Sequence, residues 1–416
     1  MATILTIIPY NFYPPVSGGA QRCFYILREM ARHHSVYVLT SQPKTEFQGN
    51  KQPTFPVNVN IISFYNGKRY KSIFNIFPAR LADALNSRFL TRSIIEPTNT
   101  TLLDVYPTLI ALLNKVSFNL FYYESLEALG MIGSLIKRRN LAALHLYDAH
   151  NCDSDLWMQQ ALANPHSSKF KLYAAKALFL EKLLYYRVDS FFCCSETDLN
   201  KLEVLNNNKV KGTVIPNGVD IAAKPFDQNP EKYKIKNLIF CASLDYFPNK
   251  QGLLWFYKDV FPLIRQRIHQ VTLTVIGNLS SNEDYKELIE DTAVNFIGKV
   301  DSVVPFYYES SVAIVPLLSG SGTRLKILEA MSLGNPVVST TVGAEGINFK
   351  SGEHLLIADT AYEFADQVVS LLTYKSLFQI LRLNSLEMVK STYSWRKIGD
   401  KINDSLRSLL KNHKTA

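Results

Sequence analysis

One stretch of the chain, residues 316–346, combines glycines, cations and a carboxylate at spacings that suit nucleotide binding. Gly320 and Gly322 would leave the backbone open to close approach by a ligand. Arg324 and Lys326 would lie at the start of a helix, where the helix dipole already favours negative charge. The pattern predicts a diphosphate site formed by Gly320, Ser321, Gly322, Thr323, Arg324 and Lys326.

Glu329 lies further along the same predicted helix. It follows Thr323 by six residues, which at 1.5 Å per residue is roughly 9 Å along the helix axis. A nucleotide presents its phosphates and its ribose diol at about that separation, so the Glu329 carboxylate could accept hydrogen bonds from the ribose. An ion pair with Lys326, one turn away, is the structural alternative. Gly343 and Ala344 end the next predicted strand, and their backbone amides are further candidate nucleotide contacts, with a plain turn as the alternative.

A second glycine pair, Gly18 and Gly19, lies between the first predicted strand and the first predicted helix. Paired glycines let a backbone approach a ligand closely, and a helix start offers N–H groups to an anion. A tight strand-to-helix turn accounts equally well for a lone glycine pair. The G-x-G-x-x-G spacing of a dinucleotide site is absent, which disfavours a dehydrogenase.

The elements that must position these loops alternate between short β-branched strands and longer amphipathic helices, as in βαβ units and parallel sheets. A chain of 416 residues exceeds one hydrophobic core, and the alternation lapses between residues 216 and 236. We therefore predict two α/β domains, residues 1–215 and 216–393, with a ligand cleft between them. The apolar spacing over 394–410 predicts a last helix that needs a groove. The predicted strands are 3–8, 35–40, 59–64, 118–122, 143–148, 190–194 and 210–215, then 238–242, 273–276, 294–297, 312–315, 337–339 and 355–357.

Composition limits the classes of protein and partner. Hydrophobic residues make up 47% and charged residues 19%, as in a globular enzyme. The net charge of +9 favours anionic partners, although nucleic acid has nothing else in its favour and is not expected. Five cysteines without a C-x-x-C pair fit a reducing compartment. No signal peptide or apolar run of spanning length is evident, so a cytoplasmic protein is expected.

Two further motifs have a functional and a structural interpretation. The basic and aromatic residues of 68–80 could rest peripherally on the inner face of a membrane or cover a lipid-linked acceptor; a solvated helix is the alternative. Asp153 and Asp155 have the spacing of a metal-binding D-x-D pair, but acidic residues are also typical of a first helical turn. We favour the helix start and predict no metal.

Several motifs together resemble the retaining glycosyltransferases of family 4, which have the GT-B fold of two Rossmann-like domains facing across a cleft. The resemblance covers nearly the whole chain and is weakest between residues 43 and 117. Its segments are 14–19, 147–151, 214–220, 243–249, 273–277, 316–346 and 394–395.

The resemblance implies roles for particular residues. The carboxylate matching Glu329 holds the donor ribose, the loop of Gly18 and Gly19 faces the diphosphate, and His150 lies near the transferred sugar. A histidine at a strand end could donate to a sugar hydroxyl or to the leaving phosphate, although a satisfied structural role is the alternative for an isolated histidine. The last helix, within residues 394–416, is implied to cross back onto the first domain.

The chain departs from the family pattern at two places. Ser321 occupies the position of the first of two glutamates seven residues apart, a residue that commonly contacts the donor sugar. The arginine usual after the first strand of the second domain is missing from 242–245. We hypothesise that Arg324 and Lys326 carry the diphosphate charge instead.

The sequence is therefore interpreted as a retaining hexosyltransferase-type enzyme. It would move a sugar from a UDP- or GDP-sugar, a substrate with no further cofactor, to a hydroxyl of a glycan or lipid-linked acceptor, in cell-surface or exopolysaccharide synthesis. The first alternative is a non-catalytic GT-B partner subunit of an active transferase. A sugar-nucleotide epimerase on the same fold is the second.

Overall fold

The computed structural model describes residues 1–47, 55–64, 102–279, 281, 283–320 and 324–415. The chain divides into two compact units, Met1–Ile215 with Gly399–Ala416, and Pro216–Ile398. The predicted basic stretch 68–80 and the predicted diphosphate contacts Ser321, Gly322 and Thr323 lie outside the described residues.

The first unit contains a parallel sheet of seven strands in the order β3-β2-β1-β4-β5-β6-β7. Its central strands are largely apolar and buried on both faces, as parallel strands covered by helices must be, whereas the two edge strands are only partly buried. They are β1 (Thr3–Ile8), β2 (Ser35–Thr40), β3 (Val59–Ser63), β4 (Leu120–Glu124), β5 (Leu144–Ala149), β6 (Ser190–Cys193) and β7 (Gly212–Val214).

The helices of the first unit connect these strands. Ser17 caps the first of them, since its hydroxyl accepts the Ala20 N–H. A π-helical turn, Leu129–Gly133, interrupts what the sequence predicts as one helix over 126–139. The helices are α1 (Gly18–Met30), α2 (Leu102–Leu113), α3 (Ser125–Ala128), α4 (Ser134–Arg139), α5 (Asp153–Ala163), α6 (Ser168–Lys182) and α7 (Glu196–Leu205).

The second unit contains a parallel sheet of six strands in the order β10-β9-β8-β11-β12-β13. Its strands are β8 (Asn237–Cys241), β9 (Thr272–Ile276), β10 (Val294–Gly298), β11 (Val312–Val315), β12 (Val337–Ser339) and β13 (Leu356–Ile357). Its helices are α8 (Phe247–Trp255), α9 (Phe261–Arg267), α10 (Lys286–Glu290), α11 (Val304–Tyr308), α12 (Leu325–Leu333), α13 (Ala361–Thr373) and α14 (Lys375–Met388). Gly334, at a φ of 90°, ends α12. The two parallel α/β sheets confirm the predicted fold class.

The last helix, α15 (Trp395–Thr415), begins in the second unit and belongs to the first from Gly399 onward. Its apolar stripe is buried along both parts, from Trp395 to Leu406. Within the first unit, Gly399 lies directly against Glu29, whose backbone oxygen accepts a hydrogen bond from the Asn403 side chain. A side chain at position 399 would collide with Glu29, so this glycine permits the close approach. Over the described part of the chain, no helix is both long and apolar enough to cross a membrane.

Candidate functional site

In the first unit, the sheet order reverses between β1 and β4. Ligands of open α/β sheets bind at such a reversal, beyond the carboxyl ends of the strands. The loop of Gly18 and Gly19 follows β1, Glu124 ends β4, and His150 follows β5, the next strand along. The fold therefore brings the predicted Gly18, Gly19 and His150 to one edge of the sheet, together with Glu124, which the sequence analysis did not single out.

His150 contacts both neighbouring strand ends. Its Nε2 lies 2.6 Å from Glu124 Oε1 in a hydrogen bond. The Nδ1 edge of the ring lies against Gly19, since a Cβ placed there would be 3.2 Å from Nδ1. The Glu124 side chain is 1% exposed and that of His150 is 20% exposed, so the histidine is the member of the pair that a ligand can reach.

A buried ion pair lies beside this contact. Arg22 on α1 binds both carboxylate oxygens of Asp148, with Nε–Oδ2 at 3.0 Å and Nη2–Oδ1 at 2.5 Å. Its Nη1 donates to the Ile215 carbonyl oxygen at 2.7 Å. Both side chains are at most 1% exposed. The forked geometry fixes α1, and with it the glycine loop at the start of α1, against the end of β5.

Burial and charge set the proton affinities in this cluster. Burial, and then the charge of Asp148, raise the pKa of Glu124. Burial alone would lower the pKa of His150, but the charge and hydrogen bond of Glu124 outweigh it and raise that pKa. The arrangement therefore favours the protonated imidazole more than a free histidine side chain would.

Glu124, Asp148 and His150 also have the side-chain types that bind metal ions. Ligand atoms of Glu124, Asp148 and His150 lie within 4.8 Å of one another. However, Arg22 occupies both Asp148 oxygens and Glu124 is bonded to His150. A metal ion would have to displace a buried guanidinium, so the donor set fits proton holding better than metal binding.

Two motifs near this edge have structural roles. Asp153 and Asp155 lie in the first turn of α5, where Asp155 pairs with Lys201 at 2.6 Å. The buried Glu181 accepts the Asp153 N–H at 2.7 Å. His145 is fully buried within β5 and is bonded to the Tyr123 hydroxyl at 2.9 Å.

In the second unit, the sheet order reverses between β8 and β11, and the predicted cationic loop follows β11. The Lys326 ammonium donates to Asn249 Oδ1 at 2.7 Å and lies 5.2 Å from the centre of the Phe240 ring. Arg324 is 8% exposed, and its Nη2 approaches Gly320, where a Cβ would lie 2.9 Å away. The fold thus gathers Gly320, Arg324 and Lys326.

The charges of this loop interact with one another. Burial, and then Arg324, lower the pKa of Lys326 from 10.5 to about 7. The surroundings thus disfavour the charged ammonium of Lys326. An anion next to Lys326 would offset this, because it favours the charged form. The loop is therefore suited to a phosphate group.

Glu329 has a different partner from the one considered in the sequence. It forms an ion pair with Lys224, whose loop precedes β8. The two side chains are 20% and 30% exposed, so the carboxylate stays accessible. The half-buried Cys241 thiol, at the end of β8, lies within the electrostatic reach of Glu329, Lys326 and Lys224, so all three lie near it.

Gly343 and Ala344 lie in a short turn after β12. The Gly343 N–H donates to Thr340 Oγ1 at 2.9 Å, and the Ala344 N–H donates to the Thr340 carbonyl oxygen at 3.1 Å. A Cβ at Gly343 would lie 2.4 Å from the Val315 carbonyl oxygen at the end of β11. Here these amides hold the turn against β11, and their contact with a nucleotide stays a prediction.

Comparison with known proteins relates the second unit to a family. Residues 235–374, which include Arg324, Lys326 and Glu329, match the family model described as glycosyl transferases group 1. Over these residues the chain is similar to the group 1 glycosyltransferases. The match includes the cationic loop and Glu329 but not Lys224.

Two curated relatives match the chain over more than half of its length. A Klebsiella pneumoniae protein described as uncharacterised and in the cps region is 26% identical over 69% of this chain and 74% of its own. The phosphatidyl-myo-inositol mannosyltransferase of Mycobacterium leprae is 23% identical over 62% of this chain and 71% of its own.

The fold of the chain is GT-B. Sucrose-phosphate synthase from Thermosynechococcus elongatus superposes with a TM-score of 0.72 at 16% identity, over 99% of this chain and all of the other. Anabaena HepE in complex with UDP superposes with a TM-score of 0.66 at 15% identity, over 98% of this chain and all of the other.

Proposed function

We propose that this chain is a group 1 glycosyltransferase that moves a hexose from a UDP- or GDP-sugar to a hydroxyl of a glycan or lipid-linked acceptor. The observation that carries the proposal is the cationic loop with the half-buried Lys326 beside the buried Arg324, inside the residues that match the family. The diphosphate of a sugar nucleotide is an anion that both cations could hold, and it would favour the charged form of Lys326.

The relatives support a role in surface polysaccharide synthesis. The Klebsiella relative comes from a cps region, and the Mycobacterium relative is a mannosyltransferase named for a phosphatidylinositol substrate. A lipid-linked acceptor would bring the enzyme to a membrane surface, which flotation with anionic vesicles would test.

In the proposed reaction, Arg324 and Lys326 hold the diphosphate and Glu329 holds the ribose. The bond between the sugar C1 and the diphosphate oxygen breaks, and its electron pair stays with the diphosphate. The acceptor hydroxyl oxygen bonds to C1 on the same face, and its proton passes to the departing diphosphate. Retention of configuration follows from that geometry, while the cations stabilise the negative charge that develops.

In the first unit, the proposal assigns a role to His150. Its raised proton affinity and exposed edge suit a donor to a sugar hydroxyl or to the leaving phosphate.

Turnover tests the proposal. Purified protein is incubated with UDP- and GDP-hexoses, each labelled in the sugar, together with lipid-linked and glycan acceptors, and transferred label is measured. We expect transfer from one donor with the α-anomeric linkage of that donor retained. Transfer with inversion would contradict the mechanism.

One sequence feature favours the alternative of a non-catalytic partner subunit. Ser321 stands where the family pattern has a glutamate that commonly contacts the sugar. A protein that binds nucleotide but never turns over a donor, alone or with any acceptor, would support the alternative and contradict the enzyme.

A further inference from the structure

We propose that Glu124 is a positioning residue for His150. By holding Nε2, it fixes the imidazole with the Nδ1 edge along the loop of Gly18 and Gly19 and keeps that edge a hydrogen-bond donor to the sugar nucleotide. The inference rests on the proposed function for its catalytic part. It adds a residue that neither the sequence motifs nor the matched family segment, residues 235–374, contains.

The geometry of the pair supports a positioning role. A neutral imidazole carries one N–H, and a carboxylate at 2.6 Å from Nε2 selects the form with the proton on that nitrogen. When a second proton binds, it must go to Nδ1. Among the described residues, Nδ1 has no hydrogen-bond partner, so a donor formed there is directed to a ligand.

The backbone around Glu124 is also unusual. Ser125, the next residue, has a φ of 81°, a left-handed conformation that non-glycine residues adopt at a cost of about 1 to 3 kcal/mol. Its buried hydroxyl has no hydrogen-bond partner in the described part of the chain. The left-handed residue lies directly after Glu124, at the junction of β4 and α3, and its cost is consistent with a constraint on where the Glu124 carboxylate lies.

Three charged groups act on His150: Glu124 at the end of β4, Asp148 in β5 and Arg22 on α1. Tyr10 after β1, Cys23 on α1 and Cys194 after β6 face Glu124 rather than His150. Arg22 binds Asp148, while the Tyr10 hydroxyl lies 3.5 Å from Glu124 Oε1. Glu124, which is hydrogen-bonded to the imidazole, raises its pKa more than Asp148 does.

The first experiment follows the proton on His150 directly and needs no turnover. Protein labelled with ¹⁵N-histidine is titrated by NMR as wild type and as Glu124→Gln, with His150→Asn used for assignment. We expect the pKa of His150 to fall in Glu124→Gln, because an uncharged amide no longer favours the imidazolium. Adding UDP to the wild type should shift the Nδ1 resonance.

The matched control is Glu29→Gln, a buried glutamate of the same unit at the other end of α1, which pairs with Arg32 at 2.8 Å. It should lower stability to a similar extent and leave the His150 titration unchanged. An unchanged pKa of His150 in Glu124→Gln would overturn the pairing, whether or not the protein is an enzyme. A wild-type Nδ1 resonance unmoved by both UDP and GDP at saturating concentration would overturn the proposed contact of the Nδ1 edge with the ligand.

The second experiment measures turnover against pH with the donor that the wild type accepts. A positioned proton donor contributes roughly 100- to 10,000-fold to a rate, and we expect Glu124→Gln to lose at least tenfold in kcat with little change in KM. The alkaline limb of its pH profile should move to lower pH, since the imidazolium is the active form. If Glu124 were only structural, Glu124→Gln would lower the fraction of folded protein but leave the alkaline limb of the pH profile in place. That result would overturn the proposed role of Glu124 in turnover.

Discussion

The two candidate regions differ in how their charges are balanced. In the first unit, Arg22 is matched by Asp148 and His150 by Glu124, so each charge has a partner inside the unit. In the second unit, Lys224 is paired with Glu329, while Arg324 lowers the pKa of the neighbouring Lys326. A paired cluster holds a fixed geometry, whereas two neighbouring cations favour an anionic ligand. We therefore propose positioning for the first region and donor binding for the second.

Removing the two cations Arg324 and Lys326 should have the largest effect on donor affinity. Hydrogen bonds to charged groups contribute about 1.5 to 3 kcal/mol each, so Arg324→Ala/Lys326→Ala should weaken binding of the donor nucleoside diphosphate by roughly 100- to 10,000-fold. Isothermal titration calorimetry measures it. Lys258→Ala/Lys286→Ala, a pair of exposed lysines in the same unit, is the control. Unchanged affinity in the first double variant would break the comparison.

Breaking the balanced cluster should instead cost stability. Removal of one partner of a buried ion pair typically costs about 3 to 5 kcal/mol. Arg22→Met leaves Asp148 and Glu124 buried without the guanidinium, so we expect a loss of that size in urea unfolding. Arg22→Met/Asp148→Leu should lose less than Arg22→Met alone. If the double variant is the less stable of the two, Arg22 does not act through Asp148.

Substitution of Glu329 tests whether the second region binds the ribose as well as the diphosphate. If its carboxylate accepts the ribose hydroxyls, Glu329→Ala should weaken UDP or GDP binding by roughly 10- to 100-fold. The variant should also lose the preference for the nucleotide over its 2′-deoxy form. Calorimetry with both nucleotides measures the ratio, and Lys224→Met controls for loss of the ion pair. A preference that survives in Glu329→Ala would place the ribose elsewhere.

The effect of pH on donor binding should be smaller than the effects of these substitutions, and its direction follows from the pKa of Lys326. Since the pKa of Lys326 is lowered to about 7, a bound diphosphate favours its protonated form. The affinity should fall by about tenfold from pH 6 to pH 8. Stability changes in the opposite sense: the unfolded lysine binds its proton more tightly, so the contribution of Lys326 to stability rises with pH from about 7 towards 10.5. Lys326→Met should reduce both the change of donor affinity with pH and the change of stability with pH. If both changes are the same in the wild type and the variant, Lys326 is not their cause.

The sequence predicted the second region better than the first. The cationic loop and Glu329 occupy one local segment, where helix periodicity alone sets their spacing. In the first region, the predicted strand 118–122 was two residues early, since the structure places β4 at Leu120–Glu124. That shift left Glu124 outside the predicted strand. A glutamate directly after four apolar residues was the signal that could have found it.

Contacts over long separations explain the rest. The pairing of Arg22 with Asp148 joins residues 126 positions apart, and only the order of the strands brings them together. The π-helical turns Leu129–Gly133 and Phe256–Val260 also escaped prediction, because an extra residue in a turn leaves most of the apolar spacing intact. The strands β1 and β2, by contrast, have the predicted bounds, since β-branched runs flanked by turn residues determine them locally.

The central claim is that the second unit binds a nucleoside diphosphate through the cationic loop and Glu329. A thermal-shift panel with UDP, GDP, ADP and their sugars tests it most directly. A ligand at 100 times its dissociation constant stabilises a protein by about 2.7 kcal/mol. We predict such a shift with one nucleotide, largely lost in Glu329→Ala. No shift with any of the nucleotides at millimolar concentration would contradict the claim.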